Sequence, residues 1–279
     1  EIVVPDSSTG QLSATSRAVA LRTLDWDRVD AAVGPISIRS AEPGDILRVE
    51  ILAIEPGRWG WTGIFRNFGL LRGEFDDDLT TWRLRAGIAQ GQSGFLRGTR
   101  IPLRPMIGVL GVLPGDGEHP MVPPERFGGN LDLPLLTVGA QVEFPVEVPG
   151  AGLSVGDPHG RQGWGEVCGT GIEMPARVRL RTTLRKRSPL ASPRVRSPAE
   201  AAPEPAGITT TGIAADPARA SVDATRAMVE LLHDRGWTAA AAYALSSLVG
   251  SLRIGEAVDA PNWVVTLTVP QEYELPPGP

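Results

Sequence analysis

The sequence predicts a mainly β protein, in which a β-rich body is followed by an α+β carboxy-terminal part. Glycine and proline, 33 and 26 of the 279 residues, recur without a period between short apolar stretches. Several of these stretches alternate apolar with polar residues, which is the period of a strand with one buried face. Helical periodicity is confined to the carboxy-terminal third of the chain. Together these features favour sheets early in the chain and helices late in it.

Three stretches of the body have the alternation of half-buried strands, at residues 47–53, 142–148 and 178–184. In the first stretch, Leu, Val, Ile and Ala alternate with Arg, Glu and Leu. Successive side chains of a strand point to opposite faces, so each stretch offers one face to a core and one to water. We therefore expect residues 1–184 to form the β-rich body and to carry the candidate active site.

Residues 185–206 differ in kind from the body. They are rich in Pro, Ala, Ser and Arg, and they contain neither an aromatic residue nor a large apolar cluster. Such a composition is typical of a linker or of a long excursion from the fold. We therefore expect residues 207–279 to form a separate α+β part that packs on the body.

Two helices and a closing strand are predicted after this linker. Asp216 supplies an N-cap, Pro217 suits the first helical position, and an apolar stripe then continues to a stop at Gly236. A second helix, opened by an alanine run, is predicted from residue 238 to about residue 249. Apolar residues alternate again over 263–269, which predicts the closing strand.

Bulk composition narrows the class of protein. Hydrophobic residues make up 42% and charged residues 21%, and the net charge is -5 with a pI near 5.4. This balance predicts neither a nucleic-acid partner nor a membrane partner. No apolar run approaches the ~18 residues of a membrane span, and no secretory signal is evident. The single cysteine, Cys168, excludes an internal disulfide and a multi-thiolate zinc site, so we expect a reducing, cytoplasmic setting.

One of the three histidines is a candidate for chemistry. His233 falls in the last turn of the first predicted helix, where a cation suits the helix dipole, and His119 falls in a loop typical of a solvated turn. His159 lies two residues after Asp157, so an extended backbone would point both side chains the same way. Several glycines follow and Glu166 closes the segment. The pattern suits a metal or catalytic site, but a glycine-rich turn whose histidine caps a strand end fits it equally.

Two further segments have both a functional and a structural interpretation. Cys168 could be the nucleophile of a cysteine-dependent amidase, but its neighbours favour a buried, inert thiol on an apolar strand. Paired glycines at residues 128–129 precede Asn130 and Asp132. That order suits a loop that brings backbone amides and a carboxylate to a site, and it also suits a plain turn.

Read together, these segments resemble the acetamidase/formamidase family. Gly156-Asp-Pro-His159, with Gln162-Gly and Gly165-Glu166, is similar to the family signature G-D-x-H-A-x-Q-G-D-G-E, and Gly128-Gly-Asn-Leu-Asp132 is similar to its G-G-N-M-D segment. The remaining matches are spread along the chain: Val33 to Ile36, Ala41 to Asp45, Pro105 to Val112, Leu252 to Ile254 and Val258 to Asn262.

The resemblance implies hydrolysis of formamide, acetamide or a similar small amide to a carboxylate and ammonia. It also implies a β-sandwich-like body, a homodimer, and a divalent metal, with zinc preferred to calcium. Asp132, His159 and Glu166 align with family positions that would hold the metal or its water. Asp157 would orient His159 or share the catalytic role with Glu166, and which carboxylate is the general base stays open. A further set would contact substrate or support the site: Asn130, Gln162, Trp164 and Phe127.

The chain departs from the family pattern within these segments. Phe127 stands where the family commonly has the histidine of H-G-G-N, Trp164 replaces the Asp of G-D-G-E, and Ser251 replaces the Asp of G-D-L-R-I. Because phenyl and indole cannot ligate a metal, these positions either support the site from behind, or shift the preference to a bulkier amide, or abolish activity. The chain begins at Glu1 without a methionine, so either the chain is trimmed or the natural protein carries an upstream segment. In the family, the sequence that precedes this position could include a site histidine.

Three hypotheses follow from the sequence. The first is a metal-assisted amidohydrolase centred on Asp132, His159 and Glu166. The second is a family member that has lost catalysis and acts as a ligand-binding or structural protein, motivated by Phe127 and Trp164. The third is nucleophilic catalysis by the single thiol, which ranks last.

Overall fold

A computed structural model describes residues 1–198 and 206–276 of the chain. Within these ranges sixteen strands form three antiparallel sheets. The large sheet has eight strands, in the spatial order β1 (Ile2–Val4), β12 (Ala176–Arg185), β3 (Ile46–Pro56), β10 (Gln141–Pro145), β13 (Arg194–Ser197), β14 (Gly207–Ala214), β16 (Trp263–Pro270) and β15 (Ser251–Glu256).

Two smaller sheets of four strands each complete the β structure. The first, which we call the site sheet, has the order β2 (Val33–Ile36), β11 (Leu153–His159), β8 (Met106–Gly111) and β9 (Gly128–Asn130). The second has the order β4 (Trp59–Ile64), β5 (Asp78–Arg85), β6 (Ile88–Gly91) and β7 (Arg100–Pro102). Short 3-10 turns occur at Ala18–Thr23, Trp26–Arg28 and Gln271–Tyr273.

The strands predicted from alternation are present. β3 and β12 pair along their whole length, and the 142–148 stretch begins as β10 but stops at Pro145. In β3 the buried face passes from Ile51 to Ile54, because a register shift opposite Leu180 makes one residue of β3 unpaired. Ala53, predicted to face the core, is therefore only half-buried.

The main core lies between the large sheet and the two smaller ones. Its buried side chains come from both layers and include Leu47, Val49 and Phe144 of the large sheet and Ile107 and Val155 of the site sheet. Burying a side chain of this size contributes about 1.5–3 kcal/mol, so the packed layers fix the site sheet against the large sheet. This layering confirms the predicted mainly β class.

Both predicted helices are present and cover the carboxy-terminal strands. α1 (Pro217–His233) starts where the Asp216 carboxylate accepts a hydrogen bond from the Ala218 amide at 2.8 Å. Its buried stripe packs on β14 and β16. Gly212 of β14 allows this close approach, since a Cβ there would lie 2.7 Å from the Ala224 amide nitrogen. α2 is Ala239–Val249, capped by the Thr238 hydroxyl.

The predicted linker is in part a strand. β13 lies inside the 185–206 stretch and joins β10 to β14, so the large sheet continues from the body strands into the carboxy-terminal ones. Residues 199–205 of that stretch, and residues 277–279, lie outside the described ranges. Among the described helices, none combines the length and the apolar character needed to cross a lipid bilayer.

Candidate active site

The candidate site is built at the carboxyl end of β11, where the sequence Asp157-Pro-His159 ends the strand. β11 is flanked by β2 and β8, and its last residues stay paired with β8, but its pairing with β2 stops at Val155. Asp157 and His159, beyond that point, line a cavity. His159 continues the layer by a single bridge to Glu173. The expectation that the Asp157 and His159 side chains meet is correct, because Asp157 Oδ2 lies 3.0 Å from His159 Nε2.

The His159 ring is buried among carboxylates and contacts oxygen on both nitrogens. Nε2 lies 2.9 Å from Glu173 Oε2, in addition to Asp157. Nδ1 contacts Gln162 Oε1 and lies 3.6 Å from Asp132 Oδ1 and 4.0 Å from Glu166 Oε1. The ring is 1% exposed, so these groups rather than water determine its charge.

The backbone is strained at the acids around this ring. Asp132, Asp157 and Glu166 have φ values of 42°, 47° and 42°, in the left-handed region that non-glycine residues rarely adopt. Asp30, which lines the same cavity, has φ of 53°. Such strain costs on the order of 1–3 kcal/mol per residue and persists where the surrounding structure imposes it, often at functional sites.

A glycine on β8 makes room for two of the carboxylates. A Cβ on Gly108 would lie 2.6 Å from Asp132 Oδ1 and closer still to Asp157 Oδ2. Both oxygens therefore pack directly over the backbone of the strand. Any other residue at this position would push the carboxylates away from the histidine.

Hydrogen bonds from neighbouring groups hold the acids of this cluster in place. Gln162 Nε2 donates to the Asp132 carbonyl at 2.7 Å, and Asn130 Nδ2 donates to Asp259 Oδ2 at 2.8 Å. Glu256 accepts hydrogen bonds from the amides of the two residues that follow it. Ser7 donates to Glu173 Oε2 at 2.8 Å.

Several buried oxygens of this cluster have no hydrogen-bond partner within residues 1–198 and 206–276. They are Asn130 Oδ1, Asp132 Oδ1, Asp157 Oδ1 and Glu256 Oε2. A buried acceptor without a donor costs about 1–3 kcal/mol, and more when it is charged. Unpaired acceptors around a histidine are what a cation-binding site requires.

Crowding of the acids shifts their pKa values upward. Burial raises the pKa of Asp132 and Glu166 well above the ordinary range, and each is raised further by a neighbouring carboxylate. Burial likewise raises the pKa of Asp157 to about 6 and that of Glu256 to about 7. Burial alone would lower the pKa of His159, but its neighbouring carboxylates raise it well above its usual value.

The residues that could hold a metal form three overlapping groups, all buried. One is Asp132, Asp157 and His159, another adds Glu166 and Glu173 to the histidine, and the third joins Asp132, Glu166 and Glu256. Within each group the donor atoms lie within 4.8 Å of one another. Imidazole nitrogen with carboxylate oxygen is a donor set that suits zinc and other divalent ions. A divalent cation would also offset the burial and the mutual repulsion that raise the pKa values of these acids.

The cluster forms one wall of a cavity of about 470 Å³. Asn130, Asp132, Asp157, His159 and Glu166 line it, as do residues that the sequence analysis did not select, namely Ser7, Asp30, Glu173 and Asp259. The predicted set is thus largely brought together. Four aromatic residues, Trp26, Trp61, Phe65 and Phe68, also line the cavity, together with apolar, polar and charged side chains.

Three predicted residues are placed away from the cavity lining. Phe127 is buried in the main core, with His119 packed on its ring at 4.9 Å. Trp164 is half-buried beneath Arg253, whose guanidinium lies 5.4 Å from the indole centroid. Gln162 reaches the site only through its hydrogen bonds to His159 and Asp132.

The predicted position of Cys168, buried on an apolar strand, is wrong. The thiol is half-buried in a turn, beside the exposed Val167, and its Sγ lies 3.5 Å from the Thr170 carbonyl. No strand forms there because Gly165 and Gly169 have φ values of 79° and 85° and turn the chain. The other two histidines are as predicted: His233 ends α1, and His119 lies in a loop, where it pairs with Asp116 at 2.9 Å.

Sequence reasoning missed Glu173, Glu256 and Gly108. Glu173 lies outside every motif quoted above, and only the bridges to Trp61 and His159 bring it to the site. Glu256 follows a predicted segment by two residues and reaches the site through a bridge to Gly165. Gly108 lay within a matched segment, but no local signal marked it as the place where two carboxylates pack.

Fold and site together define a β-rich protein with a buried histidine and carboxylate centre that opens onto a cavity. Residues 1–120 and 116–273 match the model of the Acetamidase/Formamidase family. The chain belongs to this family, which confirms the resemblance found in its motifs.

Individual relatives agree with this assignment. The chain is similar to a formamidase of Methylophilus methylotrophus, with 29% identity over 236 residues that cover 65% of this chain and 58% of that protein. It is 30% identical to an acetamidase of Mycolicibacterium smegmatis, over 63% of this chain and 59% of that protein. The matches thus span less than two thirds of these relatives. The crystal structure of an acetamidase from Bacillus halodurans superposes with a TM-score of 0.88 at 28% identity, covering 97% of this chain and 88% of that one.

Proposed function

We propose that the chain hydrolyses a carboxylic amide to a carboxylate and ammonia, assisted by a divalent metal ion. The observation that carries the proposal is the buried cluster around His159, with its unpaired carboxylate oxygens facing a cavity. The names of the relatives, formamidase and acetamidase, supply the class of substrate. Hydrolysis of a bulkier amide and the choice of zinc over calcium belong to this proposal as well.

Asp132, His159 and Glu166 would hold the metal. Nδ1 is the ring nitrogen that faces Asp132 and Glu166, so His159 would bind the metal through Nδ1. Its present contact with Gln162 Oε1 would then be lost. Nε2 would keep its proton, which Asp157 and Glu173 accept at 3.0 and 2.9 Å. Carboxylates that fix the second ring nitrogen in this way orient a histidine ligand and increase its basicity. When bound, a divalent ion polarises a carbonyl oxygen and makes water more acidic.

The remaining residues would position substrate and move protons. Oδ2 of Asp157 contacts His159, whereas its Oδ1 has no partner among the described residues. A pKa of about 6 lets this carboxylate take up a proton and return it near neutral pH. Asn130 lines the cavity with its Oδ1 unpaired, so it can accept an N–H of the substrate amide. Glu166 stays the second candidate for the general base.

The alternative of a non-catalytic family member rested on Phe127 and Trp164. Neither side chain lines the cavity, so their replacement leaves the proposed ligands and proton carriers in place. This supports the enzyme proposal. The homodimer, the cytoplasmic setting and the upstream segment stay predictions.

The test is His159→Ala, with His233→Ala as the matched control, because His233 is an exposed histidine at the end of α1. Ammonia release from formamide, acetamide and larger amides is measured beside the metal content of the purified proteins. We expect the His159 variant to lose bound metal and at least ~100-fold in turnover, and the control to retain both. Unchanged turnover in the His159 variant, with an active parent, would overturn the proposal.

A further inference from the structure

One part of the cavity lining, which we call the aromatic wall, is formed by four aromatic side chains. Trp26, Trp61, Phe65 and Phe68 all line it. Trp26 meets Phe65 edge to face with ring centroids 5.1 Å apart and lies 6.0 Å from Phe68, and Trp61 meets Phe65 at 6.4 Å. The four rings therefore form one continuous surface, extended by Leu21. Such pairs prefer edge-to-face geometry and present both faces and edges to a third ring.

This wall is left partly uncovered. Trp26 is 50% exposed as a residue, although Phe65 beside it is only 8% exposed. A tryptophan held on a short 3-10 turn, capped by the Asp25 carboxylate, offers a rigid apolar surface at the cavity. Covering the exposed area of a large aromatic side chain with an apolar group is favourable in free energy, so this wall favours an apolar occupant.

Hydrogen bonds connect the aromatic wall to the acids around His159. Trp61 pairs with Glu173 through two backbone hydrogen bonds of 2.9 and 2.8 Å, and its indole donates to Asp6 at 3.0 Å. The next residue, Ser7, donates to the Glu173 carboxylate, which contacts His159. A group packed on the rings is therefore held at a defined position relative to the histidine.

The cavity is too large for the smallest amides. Its volume of about 470 Å³ lies in the range of about 300–1,000 Å³ typical of sites for drug-sized ligands. Acetamide has four non-hydrogen atoms and would need roughly the room of three waters at about 30 Å³ each. Most of the cavity, including its aromatic wall, would then stay without a contact.

We propose that the aromatic wall is an acyl-group pocket and that the substrate is a primary amide with a flat aromatic acyl group, of the benzamide type. This inference rests on the proposed amide hydrolysis. The ring would lie on Trp26, Phe65 and Phe68, and the amide carbon would face His159 and Asp132. The C–N bond breaks, water supplies the hydroxyl of the aryl carboxylic acid, and the nitrogen leaves as ammonia.

The first experiment compares kcat/KM for benzamide, acetamide and acetanilide with the full chain. We expect benzamide to be preferred to acetamide by on the order of tenfold or more, because the ring covers apolar surface that a methyl group leaves wet. Acetanilide carries its ring on the nitrogen. A preference for acetamide or acetanilide over benzamide would overturn the acyl-pocket inference while leaving amide hydrolysis in place.

The second experiment uses Trp26→Ala, with Tyr243→Ala as the control, an exposed aromatic on α2 outside the cavity lining. We expect the ratio of kcat/KM for benzamide to that for acetamide to fall about tenfold in the Trp26 variant and to stay constant in the control. An unchanged ratio in the Trp26 variant would overturn the inference.

Binding of acetophenone separates the pocket from the chemistry, because this ketone has the shape of benzamide and cannot release ammonia. Calorimetry should show binding to the parent and an affinity about tenfold weaker in the Trp26 variant. If no amide is hydrolysed, the proposed function fails, and this measurement still decides the pocket. Binding that depends on Trp26 supports it, and absent binding overturns it.

Discussion

Gly108→Ala is the substitution whose effect the geometry determines most directly. The new Cβ would lie 2.6 Å from Asp132 Oδ1 and 2.9 Å from the Asp157 carbonyl oxygen. Ordinary contacts begin at 3.4 Å, so the Asp132 carboxylate must retreat by about 0.8 Å. The Asp157 contact involves backbone of β11, which is paired with β8 and has little freedom to move.

The consequence is expected to be larger for activity than for stability. Overpacking of this kind costs about 1–3 kcal/mol of folding free energy, which the large core can bear. A displacement approaching 1 Å among reacting groups can reduce the rate by about 100-fold. We therefore expect Gly108→Ala to fold, to melt at a moderately lower temperature, and to lose roughly two orders of magnitude in kcat/KM together with metal affinity.

The assay measures ammonia release, bound metal and melting temperature on Gly108→Ala and on Gly163→Ala. The control alters the glycine-rich segment beside Gln162, but a Cβ there meets no atom of the described residues within 4 Å and the backbone is not left-handed. The control should match the parent in all three measurements. If Gly108→Ala also retains the parental turnover and metal content, the carboxylates do not act from the positions described.

Two further predictions concern groups outside the cavity. Burial alone would raise the pKa of Glu143, but Arg194 and Arg48 lower it below its usual value. The ionised Glu143 therefore stabilises the fold fully above about pH 4.3, and this stabilisation is lost as the pH falls through the lowered pKa of the folded state. Glu143→Gln should lower the free energy of unfolding by about 2 kcal/mol at pH 7, a value between those of an exposed and a fully buried ion pair. Denaturant unfolding of both proteins should show this difference shrinking in acid, and a difference that stays constant with pH would contradict the assignment. Cys168→Ser should retain full turnover in the ammonia assay, whereas loss of activity would support a thiol nucleophile.

The sequence predicts the strands and helices well because their signals are local. The alternation in β3, β12 and β16, and the cap at Asp216, depend on a period or on one residue and its immediate neighbours. The glycine-rich segment around Cys168 misled the prediction, because left-handed glycines turn the chain where apolar neighbours suggest a strand.

The site could be predicted only where its members lie close in sequence or in a family motif. Asp157, His159 and Glu166 fall within one segment, and their proximity was predictable. Glu173 is brought to His159 by an isolated bridge, and Glu256 by strand β15 at the opposite end of the large sheet from β1. Such pairings depend on sheet topology, which no local pattern in this chain specifies.

Two of the departures from the family motifs, Phe127 and Trp164, act on how the site is held. Phe127 fills the core directly before β9, the strand that ends in Asn130, so its ring helps to fix the Asn130 amide. Trp164 packs under Arg253 of β15. The amide of Gly165 donates a hydrogen bond to the Gly255 carbonyl, and this contact brings Glu166 beside Glu256.

Because both replacements lie behind the cavity, they leave its shape on the substrate side to other residues. The proposed acyl pocket is instead lined by Trp26, Phe65 and Phe68, on the 3-10 turn after residue 25 and on the segment that follows β4. None of the three belongs to a motif through which the family was identified. Selectivity for the acyl group can therefore change through these rings while the histidine and its carboxylates keep their positions. For this reason Trp26→Ala should alter the choice of amide, whereas Gly108→Ala should impair hydrolysis of every amide alike.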